Sequence, residues 1–271
     1  MEEKVISLGQ HFIVELYGCS PKSISDSVSV QSVLLKSAEI AKANIVLYDF
    51  QQLKNQGVSG AIVISESHFS VHTWPQKGYA SLDIFTCGET MNEEAAINHI
   101  KESFQSQKME LGRLERGLLP DSEKEGLSYK ANRAYDHSIN IPRKGIHNYH
   151  YIIELYKCEH ELIATEKTVA PALLEAAQIA EPKVFADKEI IVNKFHNFEP
   201  SGSSGVILAP RAHITAHTWP EHDYAAVDLF LPRESQEIIS ATDRLREWLK
   251  AKRVDVSELK RGNPDYFSTN Y

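Results

Sequence analysis

Apolar and polar residues alternate from His11 to Tyr17, a period of two that predicts a strand with one packed face. Between residues 29 and 43 the spacing changes, and Val30, Val33, Leu34, Ala38, Ile40 and Ala41 recur at the interval of a helix. Two β-branched runs follow, Ile45-Val46-Leu47-Tyr48 and Ala61-Ile62-Val63-Ile64, and alternation returns in Ser70–Trp74 and Tyr79–Phe85. A second helix is predicted over Asn92–Gln107, capped by Asn92 with Glu94 close behind, and a strand over Met109–Glu115 closes the unit. The order strand, helix, three strands, helix, strand recurs from Tyr149 to Leu259.

Helices that all cover one face of a sheet leave its other face to pack elsewhere, and two such units bring those faces together. The predicted class is therefore α+β, a four-layer αββα sandwich of two repeated halves. Residues 1–117 form the first half and 147–271 the second. Between them, 118–146 carries Pro120, Asp121, Ser122, Gly126, Asn132, Pro142 and Arg143 with little periodicity, the pattern of a linker.

Composition narrows the function classes. Apolar content of 42% and charged content of 24% are ordinary for a globular chain of 271 residues. A net charge of −8 argues against a nucleic-acid or anionic-membrane surface, which needs a basic patch. No apolar stretch reaches the ~18–20 residues of a membrane span, and Met-Glu-Glu-Lys does not begin a secretory leader, so a cytoplasmic protein is expected. Cys19, Cys87 and Cys158 are an odd count without CxxC spacing, which points to neither disulfides nor zinc. His68 and His72 on one strand lack a convergent cysteine or carboxylate, and no metal is expected. Cys19 and Cys158 occupy matching places after Glu15-Leu16-Tyr17 and Glu154-Leu155-Tyr156 and read as packing thiols, whereas Cys87 has no counterpart.

The repeat is sharpest where Gly57–Gly88 aligns without a gap to Gly202–Arg233. Gly57, Ser59, Gly60, Ile62, His68, His72, Thr73, Trp74, Pro75, Tyr79, Ala80, Asp83 and Phe85 all meet identical residues. The differences carry the chemistry. Glu66-Ser67 becomes Arg211-Ala212, Cys87 becomes Pro232, and Gln76 becomes Glu221. One copy has the nucleophile and the thiol, and the other has a carboxylate.

Gly57-Val58-Ser59-Gly60, Ser65-Glu66-Ser67-His68, His72-Thr73-Trp74-Pro75, Tyr79-Ala80 and Phe85-Thr86-Cys87-Gly88 resemble the bacterial S-adenosylmethionine decarboxylase proenzymes. The likeness extends more weakly over residues 5–116, and 147–260 looks like a degenerate second copy fused behind the active one. The resemblance implies the αββα fold and a covalent pyruvoyl cofactor made by self-cleavage at Glu66-Ser67. It also implies decarboxylation of S-adenosylmethionine to supply spermidine synthesis.

Removing carbon dioxide from an α-amino acid leaves a carbanion that needs an electron sink, which pyridoxal phosphate or a pyruvoyl carbonyl can supply. No phosphate-binding loop with a Schiff-base lysine stands out, whereas Glu66-Ser67 offers the second route. Ser67 Oγ attacks the Glu66 carbonyl, the amide becomes an ester, and β-elimination leaves dehydroalanine, which hydrolyses to pyruvoyl and ammonia. Fragments 1–66 and 67–271 would stay together, with a homodimer left open.

By resemblance, a His and a Ser serve the cleavage, and both halves offer them, Ser59 with His72 and Ser204 with His217. Cys87 is the expected proton donor to the substrate carbanion, since a thiol of pKa ~8.5 stays protonated at neutrality yet gives its proton readily. In duplicated relatives one site draws pyruvoyl and cysteine from the first half. It draws serine, histidine, a ribose-binding glutamate and an adenine-stacking phenylalanine from the second. Ser204, His217, Glu221 and Phe198 stand at those places. Glu66 is a further substrate-binding candidate. The reciprocal site would combine Ala212 and Pro232 with Leu53, Ser59, His72 and Gln76, four of which lack the chemistry, so a single cross-half site is expected.

A ring for adenine and a carboxylate for ribose hydroxyls suit a nucleoside. A related pyruvoyl enzyme acting on arginine or ornithine is the alternative within the enzymes, separable by carbon dioxide release from labelled candidates. A regulatory partner without catalysis is the alternative outside them, and a gel separates it, because such a partner need not split.

Overall fold

The computed structural model describes residues 5–54, 57–65, 67–87, 91–120 and 148–262. Each half supplies one antiparallel six-stranded sheet. The first contains β1 (Val5–Tyr17), β2 (Ile45–Leu53), β3 (Gly57–Ile64), β4 (Ser67–Trp74), β5 (Tyr79–Thr86) and β6 (Lys108–Pro120), in the order β2-β3-β4-β5-β1-β6. The second contains β7 (Asn148–Tyr156), β8 (Val192–Asn197), β9 (Ser203–Ala209), β10 (Ala212–Trp219), β11 (Tyr224–Leu231) and β12 (Arg253–Arg261), and repeats that order as β8-β9-β10-β11-β7-β12. Four strands rather than the expected three separate the long helices, because each β-branched run and each alternating segment forms a strand of its own.

Helices α1 (Pro21–Ile24), α2 (Ser27–Ile40) and α3 (Glu93–Ser103) belong to the first half, and α4 (His160–Ile163), α5 (Glu166–Ala180) and α6 (Ile238–Leu249) to the second. α2 starts earlier than its apolar spacing predicts because the Asp26 side chain accepts the N–H groups of Val28 and Ser29. α3 is capped as expected, with Asn92 Oδ1 accepting from Ala95 N at 3.1 Å, but it ends at Ser103. Strand β6 runs to Pro120, three residues into the segment read as a linker. The remainder of that segment lies outside the described residues.

Alternation divides each strand between two environments. Phe69 and Val71 of β4 and Ala80, Leu82 and Ile84 of β5 pack against Val30 and Leu34 of α2 and Ala96, Ile97 and Ile100 of α3. In the second half Ile214, Ala216, Ala225, Val227 and Leu229 meet Val169, Leu173, Ala176 and Leu245 in the same way. The opposite faces turn toward each other and complete the αββα sandwich. Apolar patches join them where Ala61 and Val63 meet Val206 and Leu208, and where Phe85 meets Tyr224 and Ala226.

Between those patches the inter-sheet layer is polar and closed to water. Arg116 of the first sheet bonds Glu154 and, at 2.8 Å, Asp228 of the second. Arg261 of the second sheet reciprocates with Glu15 and, at 2.7 Å, Asp83 of the first. Buried charge is tolerable only when paired in this way. Burial alone would raise the Asp83 and Asp228 carboxyls, but Arg261 and Arg116 beside them hold both well below the ordinary range. His11, Asp83 and His150 present nitrogen and oxygen atoms within 4.8 Å of one another. Arg116 Nη1 approaches His11 Nδ1 and Arg261 Nη1 approaches His150 Nδ1, each at 3.0 Å, while His11 Nε2 lies 3.6 Å from Asp83 Oδ1. No helix among the described residues is long and apolar enough to cross a membrane.

Candidate active site

Backbone geometry explains the repeated Gly-x-Ser-Gly motif. Gly57 has φ +97°, and a Cβ there would fall 2.1 Å from the Thr73 carbonyl oxygen. A Cβ on Gly60 would fall 2.2 Å from the Phe50 ring, and one on Gly205 2.1 Å from the Phe195 ring. The threonine of His-Thr-Trp-Pro ties the next strand in place, because Thr73 Oγ1 accepts from Val58 N and Thr218 Oγ1 from Ser203 N, each at 2.8 Å.

This register sets Ser59 opposite His72 and Ser204 opposite His217 on neighbouring strands, with their side chains on one face. Ser204 Oγ lies 2.8 Å from His217 Nδ1, and Ser59 Oγ 2.8 Å from His72 Nδ1. All four are buried. Burial lowers the His72 pKa to about 3, and burial with the neighbouring His68 holds His217 well below its ordinary value. Both rings are neutral bases at physiological pH.

Ser204 and His217 line a cavity whose lining does not include Ser59 or His72. A space of 410 Å³ is lined by Ser65, Ser67 and Cys87 of the first half and by Phe198, Ser204, His217 and Glu221 of the second. That volume suits a ligand of nucleoside size. Ser67 opens β4 and is almost wholly buried, with φ +143°, a conformation that strains any residue but glycine. Cys87 follows β5, half-buried and not in a disulfide. Phe198 follows β8, where its N–H donates to Gly202 O at 2.9 Å and closes the loop that carries it. Glu221 lies on the exposed turn after β10. Glu66 lies outside the described residues.

His72 and Ser59 sit elsewhere. His72 Nε2 meets His213 Nδ1, and Ser59 Oγ accepts the backbone N–H of Arg211 at 3.3 Å, the residue in the place of Glu66. Cys19 and Cys158 are buried at the ends of β1 and β7, where burial pushes both thiols up to about 12, consistent with packing.

The sequence reading did not single out Trp219, Thr218, Glu199, Pro200 or Ser201, which also line the cavity. Trp219 had a signal, since it sits between His217 and Glu221 in the repeated motif. The Glu199-Pro200-Ser201 loop had none, because nothing in its pattern shows that the chain folds it over the other half's serine.

Comparison with known proteins follows the same division. A family model described as S-adenosylmethionine decarboxylase matches residues 10–117 and again residues 149–262. An S-adenosylmethionine decarboxylase proenzyme of Pyrococcus abyssi is 40% identical over 117 residues, which is 43% of this chain and 84% of that protein. Its namesake in Syntrophomonas wolfei is 42% identical over 117 residues, covering 43% of this chain and 93% of its own. Among solved structures, the adenosylmethionine decarboxylase from Aquifex aeolicus VF5 aligns at 25% identity with a TM-score of 0.41, over 44% of this chain and 98% of that one.

Proposed function

We propose that this chain, which belongs to the S-adenosylmethionine decarboxylase family, cuts itself between Glu66 and Ser67 and decarboxylates S-adenosylmethionine in one site shared by its two halves. Membership makes it a carboxy-lyase of the polyamine route. The observation that carries the finer reading is the cavity that joins Ser67 and Cys87 to Phe198, Ser204, His217 and Glu221 across the sandwich.

The residues fit a cofactor made in place. Ser67 brings its own hydroxyl to the scissile carbonyl, and its strained φ favours loss of the Glu66–Ser67 amide. Once Ser67 Oγ holds the acyl group as an ester, a base must take the Ser67 α-proton so that the Glu66 carboxylate can leave. His217 is neutral, lines the cavity and stands beside Ser204, which supports it in that task over His72. The pyruvoyl carbonyl then supplies the electron sink for decarboxylation.

Substrate recognition falls to the second half. Phe198 and Trp219 give the cavity aromatic surface for adenine, and Glu221 offers an acceptor for ribose hydroxyls. Cys87 delivers a proton to the substrate carbon after carbon dioxide leaves. Cys87→Ala should therefore still cleave but lose ~10²–10⁴-fold in turnover, the usual cost of removing a positioned proton donor. Unchanged turnover in the cleaved variant would reassign the thiol to packing.

The cross-half arrangement is tested by His217→Ala, His72→Ala and Glu221→Gln, with cleavage followed on a gel and KM by carbon dioxide release. His217→Ala should impair cleavage more than His72→Ala. Glu221→Gln should cleave normally but bind substrate more weakly by about 1.5–3 kcal/mol, the range for hydrogen bonds to a charged group. If His72→Ala alone blocks cleavage and the other two behave like the parent, the site lies within the first half.

A further inference from the structure

Glu199 lines the cavity but has no role in the account above. It sits in a short loop pinned at both ends, where the Phe198 N–H donates to Gly202 O and the Gly202 N–H to Ala164 O, each at 2.9 Å. Phe198, Glu199, Pro200 and Ser201 of that loop all line the cavity. The Glu199 side chain is exposed and pairs with no cation among the described residues. A carboxylate left open in this way is available to whatever enters.

Charge on the cavity wall has one sign. Glu199 and Glu221 are the acidic residues among its described lining, no lysine or arginine accompanies them, and the nearby His217 is neutral. In a space of nucleoside size, each carboxylate stands within about one Debye length, ~8 Å at physiological ionic strength, of a charge held inside. It is felt there without direct contact, and the wall favours a cation over a neutral molecule of the same shape.

The other half supplies an internal comparison. Leu53 pairs with Gly57 as Phe198 bonds to Gly202, so the repeat continues one turn of loop outward and sets Lys54 against Glu199. Gln76 stands against Glu221, and Arg211 against Glu66. Arg211 Nε is buried without a hydrogen-bond partner. The Ser-His pair and the Thr-Trp-Pro turn are common to both places and cannot account for this reversal. What separates the two places is Ser67, Cys87 and the sign of the charge around them.

S-adenosylmethionine carries a fixed positive charge at sulfur, next to the ribose, which no change of pH removes. Its ammonium is committed to the cofactor carbonyl, and Glu221 is committed to the ribose hydroxyls. We infer that Glu199 is a specificity-determining residue that reads the fixed charge of a sulfonium nucleoside, so that the site takes the sulfonium in preference to the neutral thioether of the same nucleoside. The inference rests on the nucleoside reading of the cavity and not on self-cleavage.

Two ligands isolate the charge. 5′-Methylthioadenosine and its S-methyl sulfonium share adenine and ribose, and neither has an amine that could react with a carbonyl cofactor. They differ by one methyl group and one positive charge, and the methyl contribution is the same in every variant. Titration calorimetry on the purified full-length protein, divided or whole, should show the parent binding the sulfonium more tightly. In Glu199→Gln the ratio of the two affinities should fall about 5-fold, the upper range for a charge pair that water still reaches, and the loss should fall on the sulfonium alone. Glu199→Lys, which installs the residue of the other copy, should lower the ratio by about as much again, and added salt should narrow the ratio of the parent. Glu221→Gln separates the two carboxylates, because it should weaken the neutral nucleoside as well. A parent without preference, a ratio unchanged in both Glu199 variants, or an equal loss for both nucleosides would each overturn the inference. An equal loss would make Glu199 a support for its loop. A parent that binds neither nucleoside would remove the S-adenosylmethionine reading itself, and the inference with it.

Discussion

Ser67→Ala is expected to leave a single chain of full mass with no decarboxylase activity, whereas the parent is expected as two fragments divided at Glu66/Ser67. The larger parental fragment should be blocked to Edman sequencing and should react with hydrazines. The change removes the oxygen that attacks the Glu66 carbonyl and with it the leaving group whose elimination from Cβ opens the way to the carbonyl cofactor, so the effect is total rather than partial. Ser65 also lines the cavity, but it lies on the other side of the scissile bond and cannot leave a carbonyl at the new N-terminus. Backbone strain at φ +143°, worth about 1–3 kcal/mol for a residue other than glycine, persists in the alanine chain because nothing releases it. Intact-mass analysis of both proteins decides the point. A fully active parent that remains one chain ends the hypothesis, and so does an alanine variant that still divides at this bond.

Mild acid is expected to unfold the protein before its carboxylates titrate. His11, His68, His72, His213 and His217 are all buried with their pKa values pushed down, by burial first in every case. In the unfolded chain these rings take up protons below a pH of ~6.5 while the folded protein keeps them neutral. The unfolded state then binds more protons, and stability falls as pH falls. Each ring contributes a slope approaching ~1.4 kcal/mol per pH unit, and the five together approach ~7 kcal/mol per unit, against a typical domain stability of ~5–15 kcal/mol. For His68 and His72 the loss continues down to about pH 3. His150 acts in a different window. Burial pulls its pKa down, but Asp83 and Asp228 together raise it, so its contribution is complete below ~6.5 and is lost as pH rises through the folded value. Asp83 and Asp228, held low, add their loss only below ~3.9. Urea midpoints measured at pH 8, 6.5 and 5.5 should drop steeply over the last interval. A flat profile down to pH 4.5 would mean that the inter-sheet histidines are not dry and neutral.

The strands were legible because period-two alternation survives wherever one face is apolar, as in Phe12, Val14 and Leu16 against the helices. Asn92 was legible as a cap because its side chain acts on its own neighbours. The short helix at Pro21–Ile24 was not, since four residues carry too little periodicity to register. Alternation also marks Glu15, Asp83, His72 and His217 only as members of a polar face. Their burial follows from a second sheet covering them, which no local pattern encodes. At the candidate site, Ser67, Cys87 and Glu221 stood out because the chain carries two copies that differ at those places, and Phe198 through the resemblance to duplicated relatives. The contact between His68 and His217 joins residues 149 positions apart and had no such signature.

Strand β1 lies between β5 and β6, paired to β5 from Gln10 to Tyr17 and to β6 from Val5 to Tyr17. A cut at Glu66/Ser67 would assign β1 to the small piece and both of its neighbours to the large one. Chain connectivity would then no longer bring the strand home. The intact precursor can find this interlaced arrangement by a unimolecular search, but the finished enzyme, once melted, faces a bimolecular one whose rate depends on concentration. Recovery after denaturation should therefore be dilution-sensitive for the mature protein and dilution-independent for the Ser67→Ala precursor, which makes maturation a one-way commitment of the fold as well as of the chemistry.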